Sequence, residues 1–326
     1  RKVLGAGAGV ILCALALWGI PTQQIRQPAG AAPSSNLVFT GDVMFDRGVA
    51  RSLKKHDRSF AFTLANTKPF ISEADIAFCN FETAASDRGE KIDKEYSFNS
   101  GPGCVGALAD AGFDIVSVAN NHILDYGPEG LTGTLENLKA NNLHQVGLST
   151  DDKPQEPVII TTDEGIRVGF LAYADQGQKY SYAKQFLKYS TKPAKVDFKA
   201  MKADIDSLKG KTDIIVASMH WGVEYRKANK RQRKVGRYLI DQGVDIVAGH
   251  HPHVQQDAKW YRDGLIIYSM GNFIFDQRKR PATTQSRLYR VRVTKEGPVA
   301  AEFLPLKIPE GDWNPTPTQE TFVQVE

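Results

Sequence analysis

Short runs of apolar residues alternate along the chain with segments of helical periodicity. Five of these runs lead directly into polar side chains: "NLVFTGD" (36–42), "DIAFCNFE" (75–82), "DIVSVANNH" (114–122), "DIIVASMHWG" (213–222) and "DIVAGHHPH" (245–253). Uninterrupted apolar runs of this length predict buried β-strands. Because helical segments separate them, they predict an α/β sheet whose central strands are mainly parallel.

Helices and hairpins are predicted in the stretches between and after these strands. Helical patterns cover "GCVGALADAG" (103–112), "GPEGLTGTLENLKANN" (127–142) and "RQRKVGRYLIDQG" (231–243). Three hairpins are predicted with turns at Asp163-Glu164-Gly165, Arg262-Asp263-Gly264 and Glu296-Gly297. A single two-sheet α/β sandwich over residues 36–326 is the simplest arrangement of these elements.

The first 35 residues have a different character. A basic start precedes an uncharged apolar run from Val3 to Ile20, and a spacer rich in Pro, Ala and Ser follows. This layout is typical of a signal peptide or an uncleaved membrane anchor. The apolar length lies at the border between the two, since a spanning helix needs about 17–25 residues. We therefore expect export, with the domain anchored at the extracytoplasmic face of the membrane or released as a secreted or periplasmic protein.

Charge and cysteine content narrow the classes of partner. The net charge of +4 is small for 326 residues, but "RKANKRQRKVGR" (226–237) carries seven cations and no anion. This run is either a solvated helix face or a contact for a polyanion or anionic lipid headgroups. No nucleic-acid partner is predicted. Three cysteines are too few for a disulfide framework, and Cys79 and Cys104 form either one bridge or two unpaired buried thiols.

The polar residues at the strand ends are of the kinds that bind metals and move protons. They are Asp42, Asn80 with Glu82, Asn121 with His122 and Asp125, His220 with Glu224, and His250, His251 and His253. In open α/β sheets such ends meet at a crevice where ligands bind. Carboxylate, carboxamide and imidazole groups without thiolates suit a catalytic Mn, Fe or Zn site. The sequence therefore predicts a divalent transition metal, as one or two ions.

Three of the seven histidines lie within four positions. If this segment is extended, with Pro252 stiffening it, His251 and His253 point the same way and can face one metal cluster. His250 then points away, toward a supporting partner or the core.

Several of these stretches carry a family resemblance. The stretches "FTGDVMFDR", "NFET", "VANNHILDYGPEGL", "MHWGVEY", "GHHPHVQQ" and "YSMGNFIFD" occur in this order from about residue 36 to 276. The series resembles the motifs of the CapA-type capsule-synthesis proteins, the poly-γ-glutamate biosynthesis family. That family is similar in turn to calcineurin-like metallophosphoesterases. The resemblance implies a four-layer α/β/β/α sandwich with a metal site between its two sheets.

The resemblance also implies a set of metal ligands. The matching positions are Asp42, Glu82, Asn121, His220, His251 and His253. Two positions depart from the pattern, because Met44 stands where the first motif has a His and Glu82 stands where an Asp is usual. Losing one imidazole leaves open a mononuclear site, or one completed by His250 or Glu224.

Other residues are candidates for catalysis and substrate binding. His122 is the expected general acid, and Asp125 either orients its ring or caps the helix before Pro128. Asn272, in "SMGNF", either offers an amide to a substrate phosphate or carboxylate or serves a turn. Asn80, Glu224 and His250 complete the substrate-binding set, and the loop "EYSFNSGP" (95–102) is a further candidate for the cleft wall.

Two functions remain open from the sequence. The first is an exported metal-dependent hydrolase or transferase acting on a phosphoester or amide bond of an anionic cell-envelope polymer, possibly poly-γ-glutamate. A metal would polarise the scissile group and acidify a water molecule, and His122 would protonate the leaving group. The second is a non-catalytic anchored subunit that binds the polymer in a synthesis or export complex.

Overall fold

The computed structural model describes residues 32–175 and 184–326. Residues Pro33–Glu326 form one compact unit. The predicted apolar export segment, Val3 to Ile20, lies outside the described residues. Among the helices that are described, none is long and apolar enough to cross a membrane.

The described strands number seventeen in chain order. They are β1 (Ser35–Val43), β2 (Ile76–Phe81), β3 (Ile115–Ser117), β4 (His144–Val146), β5 (Leu148–Ser149), β6 (Val158–Thr161), β7 (Arg167–Ala174), β8 (Lys192–Pro193), β9 (Ile214–His220), β10 (Ile246–His250), β11 (Ala258–Tyr261), β12 (Gly264–Ile267), β13 (Asn272–Ile274), β14 (Gln285–Thr294), β15 (Gly297–Lys307), β16 (Thr316–Pro317) and β17 (Val323–Gln324).

The helices cover the outer faces of the sheets. The α-helices are α1 (Arg47–Lys55), α2 (Lys68–Ser72), α3 (Gly103–Ala111), α4 (Gly127–Ala140), α5 (Phe198–Leu208) and α6 (Lys230–Gln242), and short 3₁₀ helices span Phe60–Leu64, Lys184–Lys188 and Pro281–Thr284. Polar side chains cap the amino-terminal ends of α5 and α6. Asp197 caps α5 through the Ala200 N–H, and Asn229 forms a capping box with Gln232 at the start of α6.

Two mixed sheets form the centre of the molecule. The first has the order β16-β15-β14-β1-β2-β3-β4, with β13 beside β1 and β17 beside β15, and the second has the order β11-β12-β10-β9-β7-β6. The strands β1 to β4 are parallel, and so are β7, β9, β10 and β12. The predicted parallel centre is confirmed. The three predicted hairpins are also confirmed, as the pairs β6–β7, β11–β12 and β14–β15.

Three hydrophobic cores make the fold a four-layer sandwich. The inner core between the sheets contains Phe39, Phe78 and Phe170. One outer core packs α1 to α4 on the first sheet, and another packs α5 and α6 on the second. The α/β/β/α architecture is therefore confirmed.

An aspartate just before each of four parallel strands fixes the register. Asp75, Asp114, Asp213 and Asp245 each donate a backbone N–H to a carbonyl on the neighbouring strand. Their carboxylates accept the N–H of that same neighbouring residue, which is Asn36, Ala77, Arg167 and Ile215, respectively. This reciprocal pair of bonds ties the strand starts together, so the opposite strand ends are also level.

Candidate metal centre

The predicted ligands come together at the carboxyl ends of strands from both sheets. Asp42 in β1 is level with Asn80 in β2, and His220 at the end of β9 is level with His250 at the end of β10. The buried members of the cluster are Asp42, Asn80, Glu82, Asn121, His122, His220, His250, His251 and His253. Burying this many polar groups is costly unless they bond to one another or to a ligand.

Glu82 lies at the centre of the cluster. Its Oε1 atom is 3.8 Å from Nε2 of His220 and 3.9 Å from Nε2 of both His122 and His253. These separations exceed a hydrogen bond, and Oε1 has no hydrogen-bond partner among the residues that the structure describes. Atoms that each bind one zinc ion at about 2.0–2.2 Å lie about 3–4 Å apart. The arrangement around Oε1 is therefore the one expected around a cation.

Two overlapping groups of side chains could hold an ion. One group is Glu82, His251 and His253, and the other is Asp42, Glu82 and His220. Within each group the ligand atoms lie within 4.8 Å of one another. Glu82 belongs to both groups and is therefore placed to bridge two positions. The mixture of carboxylate and imidazole suits a divalent transition metal, so the residues fit the ion that the sequence predicts.

Asn121 lies beside this group. Its Oδ1 atom is 2.8 Å from Nε2 of His220, a separation that two ligands of one ion can also have. The amide oxygen and the imidazole therefore face the same space.

Burial and neighbouring groups shift the pKa values of Asp42 and Glu82 in opposite directions. Burial would raise the pKa of Asp42, but the neighbouring imidazoles of His250 and His253 outweigh it and hold that pKa well below its usual value. Burial raises the pKa of Glu82 well above its usual value, and the charge of Asp42 raises it further. Asp42 therefore ionises more readily than an ordinary carboxyl group, and Glu82 less readily. A bound cation would favour the charged form of both.

Asn80 holds the two carboxylates in place. Its Nδ2 group donates to Asp42 Oδ1 at 2.8 Å and to Glu82 Oε2 at 3.2 Å. Its Oδ1 atom accepts a bond from Asn120 at 3.2 Å. The amide is fully buried and positions these two carboxyl groups; that Asn80 binds substrate stays a prediction.

The histidine loop reaches the cluster by an unexpected backbone path. His251 and His253 have φ angles of 92° and 56°, so the segment is not extended and the predicted geometry is wrong. Both rings nevertheless face the site, because left-handed residues turn the loop back on itself. Such conformations cost about 1–3 kcal/mol each in non-glycine residues and are concentrated at ligand sites. The His251 N–H also points at Asp42, 3.3 Å from Oδ2.

His250 and Asn272 lie next to the candidate ligands Asp42 and His253. His250 Nδ1 lies 3.5 Å from Asp42 Oδ1, and its ring lies near Phe78 of the inner core. Asn272 Oδ1 contacts His253 Nδ1 at 2.9 Å, while its Nδ2 group donates to Gln277 and to a main-chain carbonyl. Both side chains are buried, and the amide of Asn272 is engaged in these contacts. That His250 and Asn272 bind substrate stays a prediction.

Glu224 is the one predicted substrate-binding residue that is partly exposed. Its charge contributes to the raised pKa of Glu82, after burial and Asp42, so it lies near the cluster.

His122 is held by a network that includes a residue missed by the sequence analysis. Its Nδ1 atom lies 2.6 Å from Asp125 Oδ2, and the other carboxylate oxygen accepts a bond from Lys94 Nζ at 2.7 Å. Lys94 also donates to the carbonyl of Asn121. The helix α4 has no side-chain cap, so the alternative that Asp125 caps it is wrong. Lys94 lies in a charged loop that resembles an ordinary solvated loop in sequence, so nothing there indicated its burial.

Burial shifts the titration of this network. It raises the pKa of Asp125 to about 7, although Lys94 opposes the shift. Burial also lowers the pKa of Lys94 and holds the pKa of His122 well below its usual value, with the charge of Lys94 adding to the effect.

Aromatic residues form one wall of the site. Phe98, from the candidate loop 95–102, stacks on His122 with ring centroids 4.0 Å apart, and Phe275 packs on His253 at 4.7 Å. Met44 is fully buried with these two rings, and its sulfur accepts the Asp46 N–H. Met44 therefore completes an apolar wall. The family resemblance implies a His at this position, so Met44 leaves the site without that nitrogen ligand.

The structure also decides whether the two cysteines form a bridge or remain unpaired. Cys79 and Cys104 are buried free thiols, and burial raises the pKa of both.

This fold occurs in solved structures of other proteins, and the buried carboxylate and imidazole groups could hold a metal ion. A solved structure described as a novel phosphatase from Mycoplasma pneumoniae matches with a TM-score of 0.52 and 14% identity, covering 87% of this chain and 97% of that one. At this identity the match shows the fold alone.

Sequence comparison then gives the family. Residues 36–277 match the model of the bacterial capsule synthesis protein PGA_cap family, and the chain belongs to this family. The capsule biosynthesis protein CapA of Bacillus anthracis is 32% identical over 94% of this chain and 75% of its own length. The PGA biosynthesis protein CapA of Bacillus subtilis strain 168 is 30% identical over 86% and 73%, respectively.

Proposed function

We propose that this protein is an exported or membrane-anchored metal-dependent hydrolase or transferase in capsule or poly-γ-glutamate biosynthesis. It acts on a phosphoester or amide bond of an anionic envelope polymer. The observation that carries the proposal is the buried, unpartnered Oε1 of Glu82 among three imidazole nitrogens. Relatives named for capsule and PGA biosynthesis support the pathway.

Some side chains of the cluster would hold the metal, and others would transfer protons. Asp42, Glu82, Asn121, His220, His251 and His253 would hold one or two Mn, Fe or Zn ions. A bound ion would act as a Lewis acid that polarises the scissile group and acidifies a water molecule. His122 has its Nδ1 face occupied by Asp125, so its Nε2 face is the one directed at the cluster. As the proposed general acid, His122 must carry a proton on Nε2 as well, which burial and Lys94 disfavour in the protein alone and an anionic substrate beside the ring would favour. The ring would then give that proton to the leaving oxygen or nitrogen, and Asp125 keeps the ring in orientation.

The test is metal-dependent turnover by the full chain in mild detergent. The protein is stripped with a chelator, reloaded separately with Mn, Fe(II) or Zn, and assayed on phosphomonoesters, phosphodiesters and γ-glutamyl amides. We expect turnover that disappears on chelation and returns with metal. Glu82→Gln should lower it by a factor on the order of 10² or more, because charge at the centre of the site is lost. The exposed Glu296→Gln is the matched control.

Turnover that is unaffected by chelation and by Glu82→Gln would contradict the proposal. The second candidate, a non-catalytic polymer-binding subunit, is favoured by one observation: Met44 supplies no nitrogen where the resemblance expects a ligand. Bound metal without turnover, together with normal polymer production by a His122→Asn strain, would select this second function.

A further inference from the structure

A pocket of about 490 Å³ lies along one face of α1, outside the metal cluster. Its volume is within the range of about 300–1,000 Å³ that is usual for ligand sites. Its lining includes Arg51 and Lys55 of α1, His56 directly after that helix, and Arg278 and Trp313 from the carboxyl-terminal part of the chain. The Trp313 side chain is only 3% exposed, so the pocket has a rigid aromatic wall.

The pocket carries excess positive charge. Its one acidic lining residue, Asp276, is already bonded to the Arg47 guanidinium and to the Gly48 N–H. Within the described parts of the chain, Arg51 and Lys55 take part in no ion pair. Arg278 pairs with Glu310 at an exposed position, where such pairs are weak and exchange readily with other anions. The free cations therefore suit an anionic ligand.

The pocket shares a wall with the metal cluster. Asp276 follows Phe275, whose ring packs on the candidate ligand His253. Arg47, which Asp276 holds, lies 5.0 Å from the centroid of the Phe98 ring. Phe98 in turn stacks on His122. This line of contacts joins the lining of the pocket to the residues beside His122.

We propose that the pocket beside α1 is a subsite for a carboxylate-bearing segment of the polymer, next to the bond that reacts. The inference rests on the proposed function, since it takes its ligand class from the acidic polymer of that proposal. Arg51 and Lys55 would bind successive carboxylates of one chain, with the Arg guanidinium able to bind in the bidentate manner. The pocket then sets specificity for polycarboxylates.

The test is a binding measurement that does not depend on turnover. A fluorescein-labelled oligomer of about ten γ-linked glutamates is titrated with the full chain in detergent, at low salt and with chelator, and anisotropy is recorded. We expect Arg51→Glu with Lys55→Glu to weaken binding about tenfold or more, with the neutral pair Arg51→Gln and Lys55→Gln in between. The control pair, Lys54→Glu with Lys68→Glu, makes the same change in net charge at exposed positions outside the pocket. It should change affinity less than about twofold.

Equal weakening by the pocket and control pairs would overturn the subsite, because only net charge would then matter. Tighter competition by polyphosphate of equal charge would overturn the assignment to carboxylates. If the pocket pair loses binding while no substrate is turned over, the subsite stands and the enzymatic proposal fails. If turnover of γ-glutamyl polymers is metal-dependent but the pocket pair leaves its KM unchanged, the enzymatic proposal stands and the subsite fails.

Discussion

Asn121 and His122 are adjacent in the chain but face different groups, so their loss should have different effects. Asn121→Ala removes an oxygen that faces His220 at 2.8 Å and should lower metal content and activity together. His122→Asn should leave metal content and folding nearly unchanged and lower turnover by about 10²–10⁴, the usual contribution of general acid catalysis. The readouts are elemental analysis and steady-state kinetics.

The leaving group provides the control for this prediction. A nitrophenyl leaving group needs little protonation, so His122→Asn should cost less on such a substrate than on an alkyl ester or amide. Equal losses on good and poor leaving groups would remove His122 from the acid role.

Lys94 is the charge partner of a fully buried carboxyl group, and its removal should give a pH-dependent loss of stability. Asp125 has a pKa of about 7, and Lys94→Met removes the charge that holds it down. Near pH 5.5 the carboxyl is protonated with or without Lys94, so the cost there is small. As the pH rises above 7 the variant must bury an unpaired charge or retain a proton, so the cost should grow to about 1–3 kcal/mol at pH 8.5.

Urea unfolding at the two pH values checks this prediction. Lys91→Met, an exposed lysine in the same loop, is the control and should cost little at either pH. The same cost at pH 5.5 and 8.5 would show that Asp125 does not depend on Lys94.

Only some features of individual site residues could be predicted from the sequence. The convergence of candidate ligands such as Asp42 and His220 could be predicted because they end apolar strands, and strand ends converge. The contacts of Asn80 and Asn272 could not, since an amide at a strand end can face a cleft or other side chains, and only packing decides. Lys94 comes from a loop whose path depends on tertiary contacts.

At the scale of elements, the aspartates before the parallel strands act as register clamps. Asp245 accepts the Ile215 N–H at 2.7 Å, and burial raises its pKa to about 6, although this bond opposes the shift. A carboxyl group whose folded pKa lies above its unfolded value of about 3.9 destabilises the fold as it ionises. Its contribution to stability is therefore present below about pH 4 and is lost as the pH rises to about 6.

Asp245→Asn keeps an acceptor oxygen for the Ile215 N–H but cannot ionise. Relative to the parent chain, the variant should gain about 2 kcal/mol of unfolding free energy between pH 4 and pH 7. Chemical denaturation across this range measures the difference, with Asp263→Asn in the exposed turn after β11 as the control. Parallel curves for parent and variant would contradict the assignment.

Most strands and helices could be predicted because their apolar periodicity reflects burial. The errors lie at the carboxyl ends of strands. The segment predicted over 114–122 narrows to β3, residues Ile115–Ser117, because the chain beyond it turns to place Asn120 and Asn121 in the cluster. The segment predicted over 245–253 ends at His250, because His251 adopts a positive φ. At both places the strand ends where the residues of the candidate site begin.

At the scale of the whole molecule, the proposed export predicts where the sandwich lies in the cell. A cysteine at the exposed turn position Glu296 should react with a membrane-impermeant maleimide in cells whose cytoplasmic membrane is intact. The test is made in a Cys13→Ser background, whose buried Cys79 and Cys104 should remain unlabelled, so that background serves as the control. Labelling of Glu296→Cys only after lysis would place the domain inside the cytoplasm.

The central claim is that the buried carboxylate and imidazole cluster holds a divalent transition metal. Elemental analysis of the full chain, purified in metal-supplemented buffer and then dialysed, tests it most directly. We expect stoichiometric Mn, Fe or Zn in the parent chain, a matching rise in melting temperature, and loss of both in Glu82→Gln but not in Glu296→Gln. A chain that retains no stoichiometric ion and melts at the same temperature with and without metal would contradict it.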